Sequence, residues 1–448
     1  MSLPSCNSPT DDVTPPDRGR RSDLRVTIVF ILFQLSILAW YGSRAVVQTT
    51  DKAPAAQPSA SALLGRQPAR FSFPGLTQAA ARFRAGILQQ RIELVLRDNF
   101  PLWDQLIPRY QTMARGLSGS TLNLFPDRWT PLLPVGGTGI VTTRAWDRLY
   151  DLPKVRRTTD FAALQTQAEY YNTLLHNCPQ IHLYVFCAHR AIDLLAERGL
   201  YPDSVTEHLS TDSDVATFQR LLDSRIEFAW SGKDRPPGDA IADYFLTDHH
   251  WNMQGAYQVY LALHRMFLRH HPAAGGPLSP TAWFRPLRAA FRGSRCRNAG
   301  AYDGLADDLV DAHFPIPAFS AVKVCGRTDV PRDRKAAYGQ GVVSTDKFAD
   351  HYTAYFGENY GLVTYAAPAE SQAAAGNLLV IGDSFDNCIE PLLAAPFANS
   401  YFVDLRYYSL HVGQPFDLHA FLLEHAISDL VFLGGSEWIL GFEPLSPN

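Results

Sequence analysis

The sequence predicts an α/β domain in which helices cover both faces of a central parallel β-sheet, giving three layers. Two observations carry this prediction. Short runs of almost continuous apolar residues recur along the chain, as expected for strands that are buried on both faces. Segments with the apolar spacing of amphipathic helices alternate with these runs. Strands that alternate with helices pair in parallel, because each helix returns the chain to the same end of the sheet.

Apolar runs predict the strands, and helical spacing predicts the segments around them. The predicted strands span residues 181–188, 378–381, 400–404 and 430–433. The predicted helices lie at 87–96, in a segment that ends near His176, at 256–267, directly after Ser384 and at 420–425. Residues 290–345 break this alternation, since they are rich in Arg, Gly and Asp and have few apolar runs. We interpret them as an irregular insertion or connection over the surface that could lie near the functional site.

The N-terminal part of the chain predicts a membrane anchor. Residues 1–24 are rich in Pro, Ser, Asp and Arg and have few apolar residues, which predicts a disordered tail. The run from Val26 to Tyr41 contains no charged residue, and the residues up to Val47 extend it toward the length that spans a bilayer. We therefore predict a transmembrane helix over residues 25–47. A buried core helix is the plainer interpretation of the same run.

Charges around this run predict its orientation. Arginines precede it at positions 18, 20, 21 and 25. The positive-inside rule therefore places the tail in the cytoplasm and the bulk of the chain outside the cytoplasmic membrane. A cleaved signal peptide is the alternative, although no convincing A-x-A cleavage site precedes Val46. Residues 48–77 are rich in Ala, Pro, Ser and Gln and predict a flexible linker, so the folded domain is expected to span 78–448.

Composition excludes some functions. A formal net charge of −4 over 448 residues gives no electrostatic footprint for nucleic acid. Six cysteines are too few for a disulfide scaffold; Cys296 and Cys325 flank the irregular region, and the sequence leaves open whether they pair in an oxidising compartment. No C-x-x-C spacing is present, so zinc bound by thiolates is not expected, and we predict no cofactor.

The most informative motif lies at 377–387, where an apolar run ends in Gly382-Asp383-Ser384. Gly382 allows the backbone to turn where a Cβ would hinder it. Ser384 is thereby predicted at the carboxyl end of a strand and just before a helix. Ligands gather at that edge of α/β sheets, and helix N–H groups there can stabilise an oxyanion. An ordinary turn with Asp383 or Ser384 as N-cap is the alternative, and a serine nucleophile also needs a base.

A second motif, Asp248-His249-His250-Trp251, supplies a candidate base. It precedes the amphipathic helix at 256–267, for which Asn252 is the predicted N-cap. An Asp two residues from a His can accept its Nδ1–H, which leaves Nε2 free to take a proton from serine. Because positions i and i+2 of an extended segment share a face, Asp248 and His250 are predicted to point one way and His249 the other.

Together these motifs resemble the bacterial DHHW proteins, relatives of the alginate O-acetyltransferases in the SGNH-hydrolase-like superfamily. The matching pieces, in chain order, are 98–102 (DNFPL), 181–188, 247–251 (TDHHW), 255–257 (GAY), 382–385 (GDSF) and 404–408 (DLRYY). The resemblance covers most of residues 85–440 and implies an SGNH-like three-layer fold. It assigns the acid to Asp248, the base to His250 and the nucleophile to Ser384. Typical SGNH enzymes place the serine first, so it also implies a circularly permuted motif order.

The resemblance implies an extracytoplasmic O-acetyltransferase that acts on cell-surface or exported polysaccharide. It also implies a membrane-embedded acyltransferase partner that carries acetyl groups across the bilayer. A carbohydrate acetyl esterase remains open, because the sequence does not show whether water or a sugar hydroxyl accepts the acetyl group. A metal-dependent phosphoesterase that uses Asp248, His249 and His250 remains open as well, although further Asp clusters at convincing spacing are missing. The last alternative is a non-catalytic scaffold of a polysaccharide export assembly.

Further residues are candidates for binding the oxyanion or the substrate. Asn387, three residues after the candidate serine and on the same predicted helical face, either donates to the oxyanion or bonds a neighbouring loop. Tyr244 and Trp251 either form a stacking platform for a sugar or are buried aromatics. Arg406 either binds substrate or forms a structural ion pair with Asp404.

Overall fold

The computed structural model describes residues 133–135, 140–142, 148–151, 161–196, 212–233, 237–286, 290–299, 305–328, 351–357, 359–368 and 375–441. All of them belong to one structural unit, which spans Asp104–Asn448. The predicted tail, anchor and linker, residues 1–77, lie outside the described residues, as does the predicted helix at 87–96. Within the described ranges, no helix combines the length and the apolar character needed to cross a membrane.

The described part of the chain forms short and long strands. In chain order they are β1 (Leu133–Val135), β2 (Ile140–Thr142), β3 (Leu149–Asp151), β4 (His182–Ala188), β5 (Glu227–Trp230), β6 (Ala282–Phe284), β7 (Ala290–Phe291), β8 (Asp307–Asp308), β9 (Asp311–His313), β10 (Ala321–Val324), β11 (Leu362–Ala366), β12 (Ala375–Gly382), β13 (Phe397–Val403) and β14 (Ile427–Gly435).

Helices separate these strands. They are α1 (Phe161–Asn177), α2 (Ala191–Ala196), α3 (Asp212–Leu221), α4 (Pro237–Ile241), α5 (Met253–His270), α6 (Ser294–Ala299), α7 (His351–Phe356), α8 (Glu390–Ala394), α9 (Leu405–Val412), α10 (Leu418–Glu424) and α11 (Ser436–Ile439), with a 3₁₀ turn at Pro272–Ala274. The predicted N-cap of α5 is confirmed, because the side chain of Asn252 accepts hydrogen bonds from the backbone N–H groups of Gln254 and Gly255.

The central sheet has seven strands in the order β10-β11-β13-β12-β14-β4-β5. The strands from β13 to β5 are parallel, whereas β10 and β11 are antiparallel additions at one edge. The four predicted strands correspond to β4, β12, β13 and β14, which form the centre of this sheet. The predicted parallel sheet is therefore confirmed for the central strands. The antiparallel strands β10 and β11 at one edge were not predicted from the sequence.

Side chains of the central strands alternate between two hydrophobic cores. On β4, Leu183 and Val185 face one core and Tyr184 and Phe186 face the other. Helices α5, α7 and α8 pack on the Tyr184 side, and α1, α9 and α10 pack on the Leu183 side. Helices thus cover both faces of the sheet, as a mostly parallel sheet requires, and the predicted three layers are confirmed.

The region predicted as an irregular insertion has regular elements in its described part. It contains β7, α6, β8, β9 and β10, and β10 pairs with β11 at the edge of the central sheet. The Cys296–Cys325 pairing that the sequence left open is not formed, since both residues are free thiols. The physical reason is their placement: Cys296 is buried in a small cluster with Ile140 and Leu149, whereas Cys325 packs at the margin of the main core.

Candidate active site

Ser384 lies just beyond the carboxyl end of β12, at the centre of the parallel sheet. Gly382 precedes it because no side chain fits there: a Cβ at this position would lie 2.3 Å from Asp386 Oδ2. The carboxylate of Asp383 holds the turn in place. One of its oxygens accepts from the N–H of Phe385, and the other accepts from Gly435 N and Trp438 Nε1, each bond being 2.9 Å long. The turn is thereby tied to the end of the neighbouring strand.

The helix that was expected directly after Ser384 begins only at Glu390, as α8, and residues 384–389 form turns. The N–H groups of a helix terminus therefore do not surround the serine. Within the part of the chain that the structure describes, the backbone N–H of Ser384 itself has no hydrogen-bond acceptor. This N–H is a donor that remains available to an oxyanion formed at Ser384.

The Asp248–His250 segment forms a narrow loop directly before α5. Its base is closed by a bridge between Tyr244 and Trp251 and by the bond from Phe245 N to His250 O, 3.1 Å. The carboxylate of Asp307 holds the middle of the loop. It accepts from the N–H of Thr247, 3.0 Å, and from the Thr247 hydroxyl, 2.5 Å. The loop is therefore fixed on both sides before it presents its histidine.

The structure brings Asp248, His250 and Ser384 together, although 134 residues separate the histidine from the serine. His250 Nε2 lies 2.6 Å from Ser384 Oγ, and His250 Nδ1 lies 2.5 Å from Asp248 Oδ1. Asp248 is fully buried, and His250 and Ser384 are 3% and 7% exposed. This is the arrangement of an acid, a base and a nucleophile, with each group in hydrogen-bond contact with the next.

Asp248 is held in its ionised form. Burial alone would raise its pKa, but the adjacent His250 and His249 and the hydrogen bonds from His250 and Ser294 outweigh burial and hold the pKa of Asp248 well below its ordinary value. The N–H of Ser294 donates to Asp248 Oδ2 at 2.6 Å. An ionised carboxylate here accepts the Nδ1–H of His250, so Nε2 is the nitrogen that is free to accept a proton from Ser384.

A segment of the region 290–345, whose individual residues the sequence did not single out, supports Asp248. Gly293, Ser294 and Arg295, at the start of α6, belong to the region interpreted as an insertion. The N–H of Gly293 donates to Thr247 Oγ1, 3.0 Å, and Arg295 Nη1 donates to the carbonyl of Asp248, 2.5 Å. Arg295 is itself fully buried. Its Nε pairs with the carboxylate of Asp151 at 2.6 Å, which ties this support to β3.

Aromatic rings enclose the histidine. The ring of Tyr352, on α7, stacks on His250 with 3.7 Å between centroids and 12° between planes. Its hydroxyl donates to the carbonyl of Ser384, 2.7 Å, so one side chain contacts both the base and the nucleophile's backbone. Phe385 packs edge-on against His250 from another side, at 5.0 Å. No sequence pattern indicated Tyr352, because α7 is a short helix and the sequence before it, within 290–345, has few apolar runs.

The prediction that His249 points away from the Asp248–His250 pair is wrong. Its ring lies beside that of His250, with 3.8 Å between centroids, and its Nδ1 lies 3.0 Å from Ser294 Oγ and 3.5 Å from Asp248 Oδ1. The loop is bent rather than extended at this point, so i and i+1 do not alternate. Partial burial and the neighbouring His250 lower the pKa of His249. His249 is thus a neutral ring at the open side of the triad.

Tyr244 and Trp251 do not form a platform for a sugar. They are 2% and 1% exposed, and they close the base of the loop that carries His250. The hydroxyl of Tyr244 donates to the carbonyl of His189, 2.6 Å, and Trp251 Nε1 donates to Cys388 Sγ, 3.2 Å. Both indole and phenol are therefore structural, and the interpretation as buried aromatics is correct.

Asn387 and Arg406 make structural contacts. Asn387 Nδ2 donates to Asn359 Oδ1 at 2.7 Å. This is the bond to a neighbouring loop, one of the two roles that the sequence left open for Asn387. Asn387 lies in a turn rather than on a helical face. Arg406 forms a two-point ion pair with Asp404, with bonds of 2.9 and 2.7 Å. It nevertheless lies at the edge of the sheet that carries Ser384, and its side chain is 30% exposed.

The ligand atoms of Asp248, His249 and His250 lie within 4.8 Å of one another, so these side chains also meet the spacing of a metal site. All three are already engaged, since Asp248 and His250 are hydrogen-bonded to each other and to Ser294 and Ser384, and His249 Nδ1 lies 3.0 Å from Ser294 Oγ. A metal here would displace those bonds. The arrangement as it stands fits acyl transfer through serine.

This fold is similar to that of PatB1 from Bacillus cereus. A structure of PatB1 with a sulfonyl adduct has a TM-score of 0.52 and 19% sequence identity, and the match covers 67% of this chain and 95% of that one. A second PatB1 structure has a TM-score of 0.50 and 17% sequence identity, and the match covers 69% of this chain and 99% of that one. A DHHW family protein from Eubacterium siraeum has a TM-score of 0.48 and 16% sequence identity, and the match covers 69% of this chain and 94% of that one. No protein-family model matches the chain, and no curated protein is significantly similar to it.

At these identities the likeness to PatB1 concerns the fold. The chain carries its TDHHW and GDSF motifs at one edge of a mostly parallel sheet, in loops that the fold brings into contact. The similarity in fold to PatB1 is therefore what these comparisons show, and the resemblance to the DHHW proteins is one that the motifs of the chain carry.

Proposed function

We propose that this chain is an extracytoplasmic O-acetyltransferase that acts on cell-surface or exported polysaccharide through Ser384, His250 and Asp248. The observation that carries the proposal is the continuous hydrogen-bonded row from Asp248 through His250 to Ser384 Oγ. The similarity of the fold to PatB1, an O-acetyltransferase, supports acetyl transfer among the reactions such a row can catalyse. The resemblance of the TDHHW motif to the alginate enzymes supports a polysaccharide as the acceptor.

In the first half of the reaction, Ser384 Oγ attacks the carbonyl carbon of an acetyl donor while His250 Nε2 takes the hydroxyl proton. Asp248 accepts the Nδ1–H and stabilises the imidazolium. The N–H of Ser384 donates to the oxyanion of the tetrahedral intermediate. When the intermediate collapses, the bond to the leaving group breaks, His250 returns the proton to that group, and acetyl-serine remains.

In the second half, a sugar hydroxyl replaces the leaving group. His250 removes its proton, the hydroxyl oxygen attacks the acetyl-serine, and the ester bond to Ser384 breaks with the proton returned to Oγ. Water in place of the sugar makes the same residues an esterase. The rings of Tyr352 and Phe385 around His250 limit the approach of water from their sides.

The purified full-length chain is expected to release 4-nitrophenol from 4-nitrophenyl acetate in the presence of a chelator. With an oligosaccharide present, mass spectrometry is expected to show the sugar carrying an added acetyl group. Release of acetate to water alone would identify an esterase. Loss of turnover with chelator would favour the phosphoesterase built on Asp248, His249 and His250, and the absence of turnover in every condition would favour the scaffold.

The proposal places residues 25–47 in the cytoplasmic membrane and the catalytic domain outside it, where a membrane-embedded acyltransferase partner supplies acetyl groups. An alkaline phosphatase reporter, which is active only outside the cytoplasm, is expected to be active when fused after residue 80. A fluorescent protein that matures only in the cytoplasm should be dark at the same junction, since the arginines before the apolar run keep only the tail inside. The reverse pattern would contradict both the location and the polysaccharide substrate.

A further inference from the structure

A second cluster of histidines lies at the other edge of the central sheet. His182 is the first residue of β4, and Asp429 lies near the start of β14, the strand beside it. Ser384 follows the carboxyl end of β12, which runs parallel to β14, so this cluster lies at the opposite edge, where the strands begin. His271 directly follows α5 and brings its ring to Asp429. The catalytic triad uses none of these residues.

The ligand atoms of His182, His271 and Asp429 lie within 4.8 Å of one another. His271 Nε2 lies 2.8 Å from Asp429 Oδ1. The side chain of Asp429 is fully buried, whereas that of His271 is 13% exposed and His182 is half-buried, so the cluster is open to solvent on one side. His270 stacks on His182 with 4.1 Å between ring centroids and adds a third imidazole at the opening.

Hydrogen bonds from two hydroxyl groups fix the carboxylate of Asp429. Oδ1 accepts from the hydroxyl of Tyr184 at 2.8 Å, and Oδ2 accepts from the hydroxyl of Ser428 at 2.7 Å. Within the described residues, no Lys or Arg pairs with it. Buried carboxylates are commonly paired with a cation or bound to a metal, and here the groups that face Asp429 besides the two hydroxyls are imidazoles. Hydrogen bonds that fix a metal-ligating carboxylate are a common feature of metal sites.

We propose that His182, His271 and Asp429 bind one zinc ion. Two imidazole nitrogens and one carboxylate oxygen suit Zn²⁺, which takes ligands at about 2.0–2.2 Å in tetrahedral geometry. Such ligand atoms are then separated by about 3.4 Å, so the His271–Asp429 hydrogen bond opens by only about half an ångström. Water completes the fourth position. The ion would link the end of α5 to β4 and β14 and so stabilise the helix that carries the catalytic loop at its other end.

Zinc titration of the full-length chain, prepared without a histidine tag and followed by competition with a chromophoric chelator, tests the site. We expect the wild type to bind one Zn²⁺ tightly. His182→Gln and His271→Gln should each weaken this binding at least about tenfold, the lower range for the loss of a metal-site group. His176→Gln, a matched change of an exposed histidine at the end of α1, should leave it unchanged.

His250→Gln separates this site from the catalytic cluster. Zinc binding that survives His250→Gln supports the proposal, and binding that is lost in His250→Gln but kept in His182→Gln and His271→Gln overturns it. Zinc should also raise the melting temperature of the wild type and of His176→Gln, but not that of His271→Gln. The absence of saturable binding by the wild type overturns the proposal whatever the variants do.

Discussion

Replacing Ser384 by alanine is expected to lower the turnover of 4-nitrophenyl acetate by about 10³-fold or more, because the remaining groups act only through binding and oxyanion stabilisation. His250→Ala and Asp248→Asn should also cause large losses of turnover, since His250 contacts both Asp248 and Ser384 directly. The double variant Ser384→Ala/His250→Ala should be little worse than Ser384→Ala alone, because members of a triad act as a unit. Steady-state kinetics of the full-length chain measure each of these effects.

Ser320→Ala is the matched control, because Ser320 is an exposed serine that only donates to nearby carbonyls. Its turnover should equal that of the wild type. A sulfonyl fluoride should inhibit the wild type and add its sulfonyl group to Ser384, as peptide mass spectrometry would show. Because the ring of His249 packs on His250, the turnover of His249→Ala should lie between that of Ser320→Ala and that of His250→Ala. Turnover of Ser384→Ala within tenfold of the wild type would remove the serine from the mechanism.

A methyl group at Gly293 is expected to disable the site without touching the three catalytic side chains. The Cβ of an alanine there would lie 2.3 Å from both Cβ and Oδ2 of Asp248, closer than atoms approach. Asp248 must then move, and it can no longer hold His250 in the orientation that faces Ser384. We expect Gly293→Ala to lower kcat by about 10²-fold or more, the scale reported for small misplacements of catalytic groups, with little change in KM. Overpacking of this buried point should also cost about 1–3 kcal/mol in the free energy of unfolding.

Gly276→Ala provides the matched comparison. No atom lies within 4 Å of a Cβ at Gly276, and its φ is not in the left-handed region. This variant should keep both the kcat and the melting temperature of the wild type. A Gly293→Ala enzyme with unchanged kcat would show that Asp248 does not need its present position, and the support attributed to α6 would then be structural only.

The parts of the site that the sequence predicted are those encoded by local spacing. Asp248 and His250 are two residues apart, so a single bent loop is enough to bring the carboxylate to Nδ1. The apolar run that became β12 placed Ser384 at a strand end, and the spacing of 256–267 with Asn252 ahead of it placed the loop before a helix. Each of these features depends on contacts within one segment, and the order of residues alone determines such contacts.

Other features depended on the packing of distant segments. Gly293, Ser294 and Arg295 reach Asp248 from more than forty positions away, and the region around them has no periodicity that could have placed them. Tyr352 stacks on His250 because α7 packs against the same face of the sheet as α5.

The sequence by itself therefore determined the mostly parallel sheet, its central strands and the three side chains of the candidate triad. Only the tertiary structure decided which residues support that triad, where His249 lies, and that His182, His271 and Asp429 meet at the opposite edge. The physical reason is that strand order and strand register place residues of different segments side by side. The residue spacing within one segment determines neither the strand order nor the register.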